Sequence, residues 1–188
     1  MSSGRVIVLN GASSTGKSSL AQAIQRRLLP APFLHVSSDL FADGMLPWSE
    51  DGPARWWLPM RRRFFAGFHA SVAALAAAGN DLLVDHLIEA LDWRTELRGL
   101  LAGDDVFLVG VHCDLAEIDR REAARGDRRI GEGRTHVEVD GVHTFGPYDF
   151  DVDTTTATPG EAAEAVVVAW AERSQPSVLL VSRSASAD

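Results

Sequence analysis

The octapeptide Gly11-Ala12-Ser13-Ser14-Thr15-Gly16-Lys17-Ser18 constrains this chain more than any other stretch, because it fills every fixed position of the phosphate-binding pattern G-x-x-x-x-G-K-[ST]. Its flanks agree with the pattern. Arg5 to Asn10 is a short apolar run of strand type, and Ser18 to Leu29 repeats apolar residues at helical spacing, so the context reads strand, loop, helix. Gly11 and Gly16 let the backbone turn and approach a phosphate closely, while the N–H groups of the loop and of the helix start point at negative charge. Lys17 is then the mobile cation for the β- and γ-phosphates, and the Ser18 hydroxyl the first ligand for Mg²⁺. The expected nucleotide-binding set is Gly11, Ala12, Ser13, Ser14, Thr15, Gly16, Lys17, Ser18 and Ser19.

Other strands follow the same logic. Phe33 to Ser37 is a second short strand, and Ser38-Asp39 stands just past its carboxyl end, where open α/β sheets place ligand-contacting residues. Asp39 is therefore the first catalytic candidate. Leu82-Leu83-Val84 closes on Asp85, as a buried parallel strand delivering a Mg²⁺-site carboxylate should. His86 follows, and an oriented but non-catalytic imidazole competes there with a base or ligand. Val106 to Val111 is a fourth, continuously apolar strand, and Tyr148 to Asp153 alternates as a fifth strand at a sheet edge.

The intervening segments read as helices. Leu20, Ala23, Ile24 and Leu28 share one face before Pro30 and Pro32; Met60 to Ala78 carries Phe64, Phe68, Val72 and Leu75, with Gly79 as cap. Asp92 is expected to cap a helix bearing Trp93 and Leu97, and Asp114 with Glu117 to open another. Thr158-Pro159-Gly160-Glu161 is a capping box for a last helix to about Arg173. Residues 41–59, with Trp48, Trp56 and Trp57, keep no sustained period and read as irregular, and the excursion over 41–62 either shapes an acceptor site or packs on the neighbouring helix. One domain is expected over 1–175, with Val178 to Val181 adding at most a short strand and 176–188 a flexible tail. The fold class is α/β, a doubly wound, mainly parallel five-stranded sheet.

Charge adds a second candidate site. The chain has 18 Lys and Arg against 26 Asp and Glu, a formal net charge of −8, which disfavours nucleic acid or an anionic membrane as partner. Against that background residues 120–135 concentrate arginines, broken by glycines at 126, 131 and 133. Arg125, Arg128, Arg129 and Arg134 are placed on a cover over the phosphates, where the planar guanidinium binds phosphate oxygens bidentately; a solvated charged face is the alternative. The lone Cys113 excludes an internal disulfide. The first strand starts too early for a signal peptide and no apolar run nears about 18 residues, so a soluble cytoplasmic protein is expected. A homo-oligomer stays open.

Together, Leu9-Asn10 with the phosphate loop, the Ser38-Asp39 step, Ala124-Arg125-Gly126-Asp127-Arg128 and Tyr148-Asp149-Phe150-Asp151-Val152-Asp153-Thr154-Thr155 resemble the chloramphenicol phosphotransferase family over residues 5–172. The resemblance implies a nucleoside-monophosphate-kinase-like fold, ATP as donor, phosphorylation of a drug-like hydroxyl, and Asp39 as the base. Two departures stand out: Asp85-His86 replaces a pair of aspartates, and 41–62 matches poorly. The reading is an ATP-dependent O-phosphotransferase with Asp39, Lys17, Arg125 and Arg128 catalytic and Ser18 and Asp85 on Mg²⁺. A sugar or nucleoside kinase is the rival within the same chemistry. A regulatory nucleotide-binding ATPase is the rival outside it, although the guanine-reading N-K-x-D motif is absent.

Overall fold

The computed structural model describes residues 2–45, 54–125 and 131–181; the side chains of residues 44, 45, 54–56 and 125 lie outside that description. Five strands form one sheet in the order β2-β3-β1-β4-β5, with β1 Arg5–Asn10, β2 Phe33–Ser37, β3 Asp81–His86, β4 Asp105–His112 and β5 Phe150–Asp153. Every neighbouring pair is parallel, so the sheet is wholly parallel where the sequence predicts mainly parallel. Helices cover both faces, which is why the central strands are apolar without alternation. On one face α1 (Lys17–Leu28) and α7 (Pro159–Ala171) pack over Ile7, Leu9, Leu83 and Val109. On the other, α3 (Ala54–Ala77) and α4 (Leu91–Leu100) bury Val8, Val84, Leu108, Phe68 and Leu97. Burying these side chains contributes roughly 1.5–3 kcal/mol each.

The register decides where chemistry gathers. Leu9 pairs with Asp85, Asn10 with His86, and Ser37 with Asp85, so β1, β2 and β3 end at one level. The phosphate loop, Asp39 and Asp85 therefore emerge side by side.

Several sequence expectations need correction. Residues 41–59 are not irregular where described: α2 spans Ser38–Met45 and α3 begins at Ala54, while 46–53, with Trp48, lie outside the described residues. Pro59 sits inside α3 without ending it. It forfeits one helical hydrogen bond, offset by Trp57 packing edge-on to Phe64 and Phe65 at 5.1 and 5.7 Å. Asp92 is not the N-cap of α4. Ala90 is, and the Asp92 carboxylate accepts instead from the Trp93 N–H at 3.0 Å. Val178 to Val181 form a turn and not a strand. The described part of the tail is packed: Leu179 is 1% exposed in the core, and Asp149 accepts from the Val178 N–H at 2.8 Å. Cys113 is free but half-buried, and burial first raises its pKa.

The glycine-broken arginine segment also holds structure that spacing did not announce. α5 runs Leu115–Arg125, as Asp114 and Glu117 led one to expect, but a further helix, α6, follows over Glu132–Glu138. Glu122, fully buried, fastens α6 to α5 by accepting from the N–H groups of Gly131 and Gly133, both at 2.7 Å. Arg134 pairs with Asp119 at 2.7 Å and Glu138 at 3.0 Å. Arg128, Arg129 and the Arg125 side chain fall outside the described residues.

Candidate active site

Backbone geometry explains the loop sequence. A Cβ at residue 11 would lie 2.4 Å from the Val111 carbonyl oxygen, so only glycine lets the loop press onto β4. Gly16 takes φ 90° as it caps α1. Gly11 to Thr15 are buried, and the loop is braced from three sides. Thr15 Oγ1 donates to the Ala12 carbonyl at 3.0 Å, and Thr154 Oγ1 donates to the Thr15 carbonyl at 2.6 Å. Arg121 reaches in from α5, donating to the Thr15 carbonyl at 3.2 Å and the Thr154 carbonyl at 2.6 Å, while Glu117 accepts from its Nε at 2.8 Å. The Tyr148-to-Thr155 motif thus holds the loop, since Thr154 belongs to it.

The reactive side chains converge as the register requires. Lys17 Nζ donates to the Ala12 carbonyl at 2.8 Å, folded over the loop it is to serve. Ser18 Oγ donates to Asp85 Oδ2 at 2.6 Å, and His35 Nε2 stands 3.6 Å from the same oxygen, just beyond hydrogen-bond reach. Burial pushes the Asp85 pKa up, but His35, Lys17 and Ser18 together outweigh it, and the carboxyl is held below its ordinary value. Asp39 is exposed in the first turn of α2.

Three adjoining cavities thread these residues. The first, about 370 Å³, lies between α1, α5 and α7 and is lined by Ser14, Gly16, Ser19, Leu20, Arg121 and Ala162 among others. The second, a cleft of about 60 Å³, shares Ser14, Gly16 and Ser19 with it and adds Lys17, Ser18, Asp39 and Asp85. The third, about 170 Å³, shares Lys17, Asp39 and Asp85 with the cleft. Its far wall is Trp57, Arg61 and Phe65 of α3, His86 at the end of β3, Glu89 after it, and Glu132 and His136 of α6. Ser14 Oγ is buried with no partner among the described residues, an open hydroxyl beside the cleft.

The third cavity is polar in an ordered way. Arg61 pairs with Glu89 and lies over Phe65 and Trp93, with its Cζ 5.3 and 4.9 Å from the ring centres. Burial lowers the Arg61 pKa, and Asp140 opposes that. His136 Nδ1 accepts from the Ser13 N–H at 3.2 Å, which ties α6 to the phosphate loop. Glu89, His136 and Asp140 bring ligand-type atoms within 4.8 Å of one another. In this state the imidazole offers a cation no lone pair, because Nδ1 is engaged and the neutral ring then carries its proton on Nε2. His86 is fully buried, and desolvation drives its pKa well below the usual histidine value, with His69 adding to the effect.

The residues named from sequence fall into two groups, one gathered in the cleft and one, Arg128 and the Arg125 side chain, outside the described residues. Lys17, Ser18, Ser19, Asp39 and Asp85 line one continuous cleft. Arg121, Arg61, Glu89, Thr154 and His136 were not named as site residues. The model of the chloramphenicol phosphotransferase-like protein family matches residues 4–171.

The chain belongs to that family. It is a phosphotransferase of the phosphate-loop kinase type. A relative from Mycobacterium tuberculosis strain H37Rv, provisionally named an O-phosphotransferase, is 31% identical over 180 residues, covering 85% of this chain and 78% of the relative. Among solved structures, the Mycobacterium tuberculosis APS kinase CysC in complex with AMPPNP and APS superposes with a TM-score of 0.65 at 21% identity, over 90% of this chain and 98% of that one. Shikimate kinase from Acinetobacter baumannii in complex with shikimate gives 0.66 at 11% identity, over 87% and 91%. At those identities the likeness is one of fold. Among the described residues no helix is long and apolar enough to cross a membrane.

Proposed function

We propose that this protein transfers the γ-phosphoryl group of ATP to a hydroxyl of a small organic molecule, with an antibiotic such as chloramphenicol or a related compound as the acceptor. The observation that carries this reading is the row of three cavities, joined at Ser14, Gly16 and Ser19 on one side and at Lys17, Asp39 and Asp85 on the other. The 370 Å³ cavity takes the nucleoside, the cleft takes the phosphates, and the 170 Å³ cavity takes the acceptor. Loop amides and Lys17 hold the β- and γ-phosphates, and the transition-state charge spreads over oxygens that Lys17 faces. Ser18 and Asp85 are hard oxygen donors 2.6 Å apart that fit Mg²⁺, which when bound neutralises phosphate charge.

The acceptor oxygen forms a bond to the γ-phosphorus as the bond to the β–γ bridging oxygen breaks. ADP leaves with that electron pair, and the acceptor proton passes to Asp39. Phosphoryl transfer asks mainly for positioning and charge stabilisation, so Asp39 acts as much by orienting the hydroxyl as by taking its proton. Arg125 and Arg128 complete the charge clamp in this proposal, and ATP supply makes the cytoplasm the compartment. A polar metabolite such as a sugar is the second reading, favoured by Arg61, Glu89, Glu132 and His136 around the acceptor cavity.

The test is a mass-spectrometric screen for gain of one phosphoryl group with ATP and Mg²⁺, run on chloramphenicol, shikimate and gluconate with Lys17→Ala as control. Transfer by the wild type and loss of it in a folded Lys17→Ala variant support the reading. Transfer that survives Lys17→Ala sinks it.

A further inference from the structure

Successive side chains of β3 leave opposite faces of the sheet. Leu83 and Asp85 face the α1 layer, whereas Leu82, Val84 and His86 face α3 and α4. His86 is thereby enclosed by Phe65, Phe68 and Trp93, with its ring stacked on Trp93 at 5.8 Å and 13°. It still lines the acceptor cavity.

Its hydrogen bonds determine which nitrogen carries the proton. His69, also fully buried, places Nδ1 2.8 Å from Glu96 Oε2 and Nε2 2.9 Å from His86 Nε2. A carboxylate only accepts, so the proton of the neutral His69 ring sits on Nδ1 and its Nε2 is a lone pair. The bond between the two rings must then be donated by the His86 Nε2–H. His86 Nδ1 is left as a lone pair, buried and without a partner among the described residues. Buried acceptors are seldom left unpaired, and an unmatched one on a side chain that lines a cavity is a place for a ligand's donor.

We propose that His86 is the fixed hydrogen-bond acceptor of the acceptor cavity, oriented through His69 by Glu96, and that it binds a second hydroxyl or an N–H of the small molecule. This group is distinct from the hydroxyl that receives the phosphoryl. The acceptor half of the proposal rests on the phosphotransferase reading; the ring tautomer does not. Because a site built around a polar partner rejects analogues that lack it, His86 selects polyfunctional acceptors over simple alcohols.

The first measurement is ¹⁵N NMR of the full chain labelled at histidine. The expected spectrum shows His86 with a pyridine-type Nδ1 and a protonated Nε2, and Glu96→Leu, which removes the acceptor of His69 and is not itself in the cavity lining, shifts that ratio toward Nδ1–H. A protonated Nδ1 in the wild type, or a ratio indifferent to Glu96→Leu, overturns the proposal. The second measurement uses whichever of chloramphenicol, shikimate or gluconate the wild type phosphorylates. His86→Phe keeps a ring among aromatic neighbours but deletes the lone pair, so the acceptor KM rises about tenfold while the ATP KM stays within about twofold. His86→Asn, which returns an oxygen near the Nδ1 position, recovers part of the loss. An equal rise in both KM values, or none, overturns the proposal. If none of the three is phosphorylated, the acceptor reading fails by itself, and the two NMR outcomes still decide the state of His86.

Discussion

Ser18 Oγ donates to Asp85 Oδ2 at 2.6 Å, linking the first turn of α1 to the end of β3 across 67 residues of chain. Neither residue is conspicuous alone; the parallel register of β1 and β3 makes them a pair, since Leu9 lies opposite Asp85. A hydroxyl and a carboxylate in contact, with Lys17 lining the same cleft, are the oxygen donors that the proposed Mg²⁺ site requires.

Asp85→Asn keeps the side-chain shape and removes the charge. The Mg²⁺ concentration for half-maximal turnover should rise by about 10–100-fold, the range for losing a supporting ligand of a metal site. Turnover measured across a Mg²⁺ titration checks this. An unchanged midpoint would remove Asp85 from the metal site.

Arg121→Lys keeps a positive charge on α5 but cannot bridge the carbonyls of Thr15 and Thr154, which the guanidinium joins at 3.2 and 2.6 Å. Losing charge-assisted hydrogen bonds of this kind costs about 2 kcal/mol. For a domain of this size Tm should fall by about 4–8 °C. The loop amides lose their bracing with it, so the ATP KM should increase more than the acceptor KM. A variant with unaltered melting and equal KM values would make Arg121 a surface cation.

Much of this arrangement is legible in the sequence where the signal is local. The phosphate loop declares itself through its glycines, Asp85 through an apolar strand closing on a carboxylate, and α7 through a capping box that the structure forms, Thr158 Oγ1 accepting from the Glu161 N–H at 3.3 Å. What escaped is held by distant partners. α6 depends on Glu122, the packed tail on Asp149, and the loop brace on Arg121, and none of these contacts has a periodicity to reveal it. The His69–His86 pair had a faint signal, a histidine on the apolar stripe that Phe65, Phe68 and Val72 draw along α3, but its partner lies on another element. The described beginning of α3 was hidden by Pro59, because an aromatic contact outweighs the local rule.

Asp81 offers a pH test of the sheet itself. Its hydrogen bond to Arg5 holds the carboxyl below its ordinary value, with Arg5 N and Nε donating to Oδ1 at 2.8 and 3.1 Å. A carboxyl whose folded pKa is depressed stabilises the fold above the unfolded value, about 3.9, and loses that contribution as pH falls through the folded value beneath it. Asp81→Asn should therefore cost about 1 kcal/mol or less at pH 7, since the pair is partly exposed, and progressively less below about pH 3.9. Thermal melts of both proteins at several pH values read the gap. A gap that widens in acid would mean the ion pair does not stabilise the native state.

Asp39 gives the sharpest test of the chemistry. It stands in the first turn of α2, directly past β2, and lines both the 60 Å³ cleft and the 170 Å³ cavity. Among the described residues three line both cavities, and of these Lys17 is the loop cation and Asp85 is bonded to Ser18, which leaves Asp39 for the acceptor hydroxyl in the proposed reaction. Asp39→Asn should then reduce acceptor phosphorylation by about 10²–10⁴-fold while ATP affinity stays nearly constant. A dissociative transition state removes little proton early, which favours the lower end of that range. Nucleotide titration and initial rates on one folded sample separate the outcomes. Loss of ATP binding would move Asp39 to the metal side of the cleft, and unaltered rates would leave it as a residue of the α2 first turn with no part in the transfer.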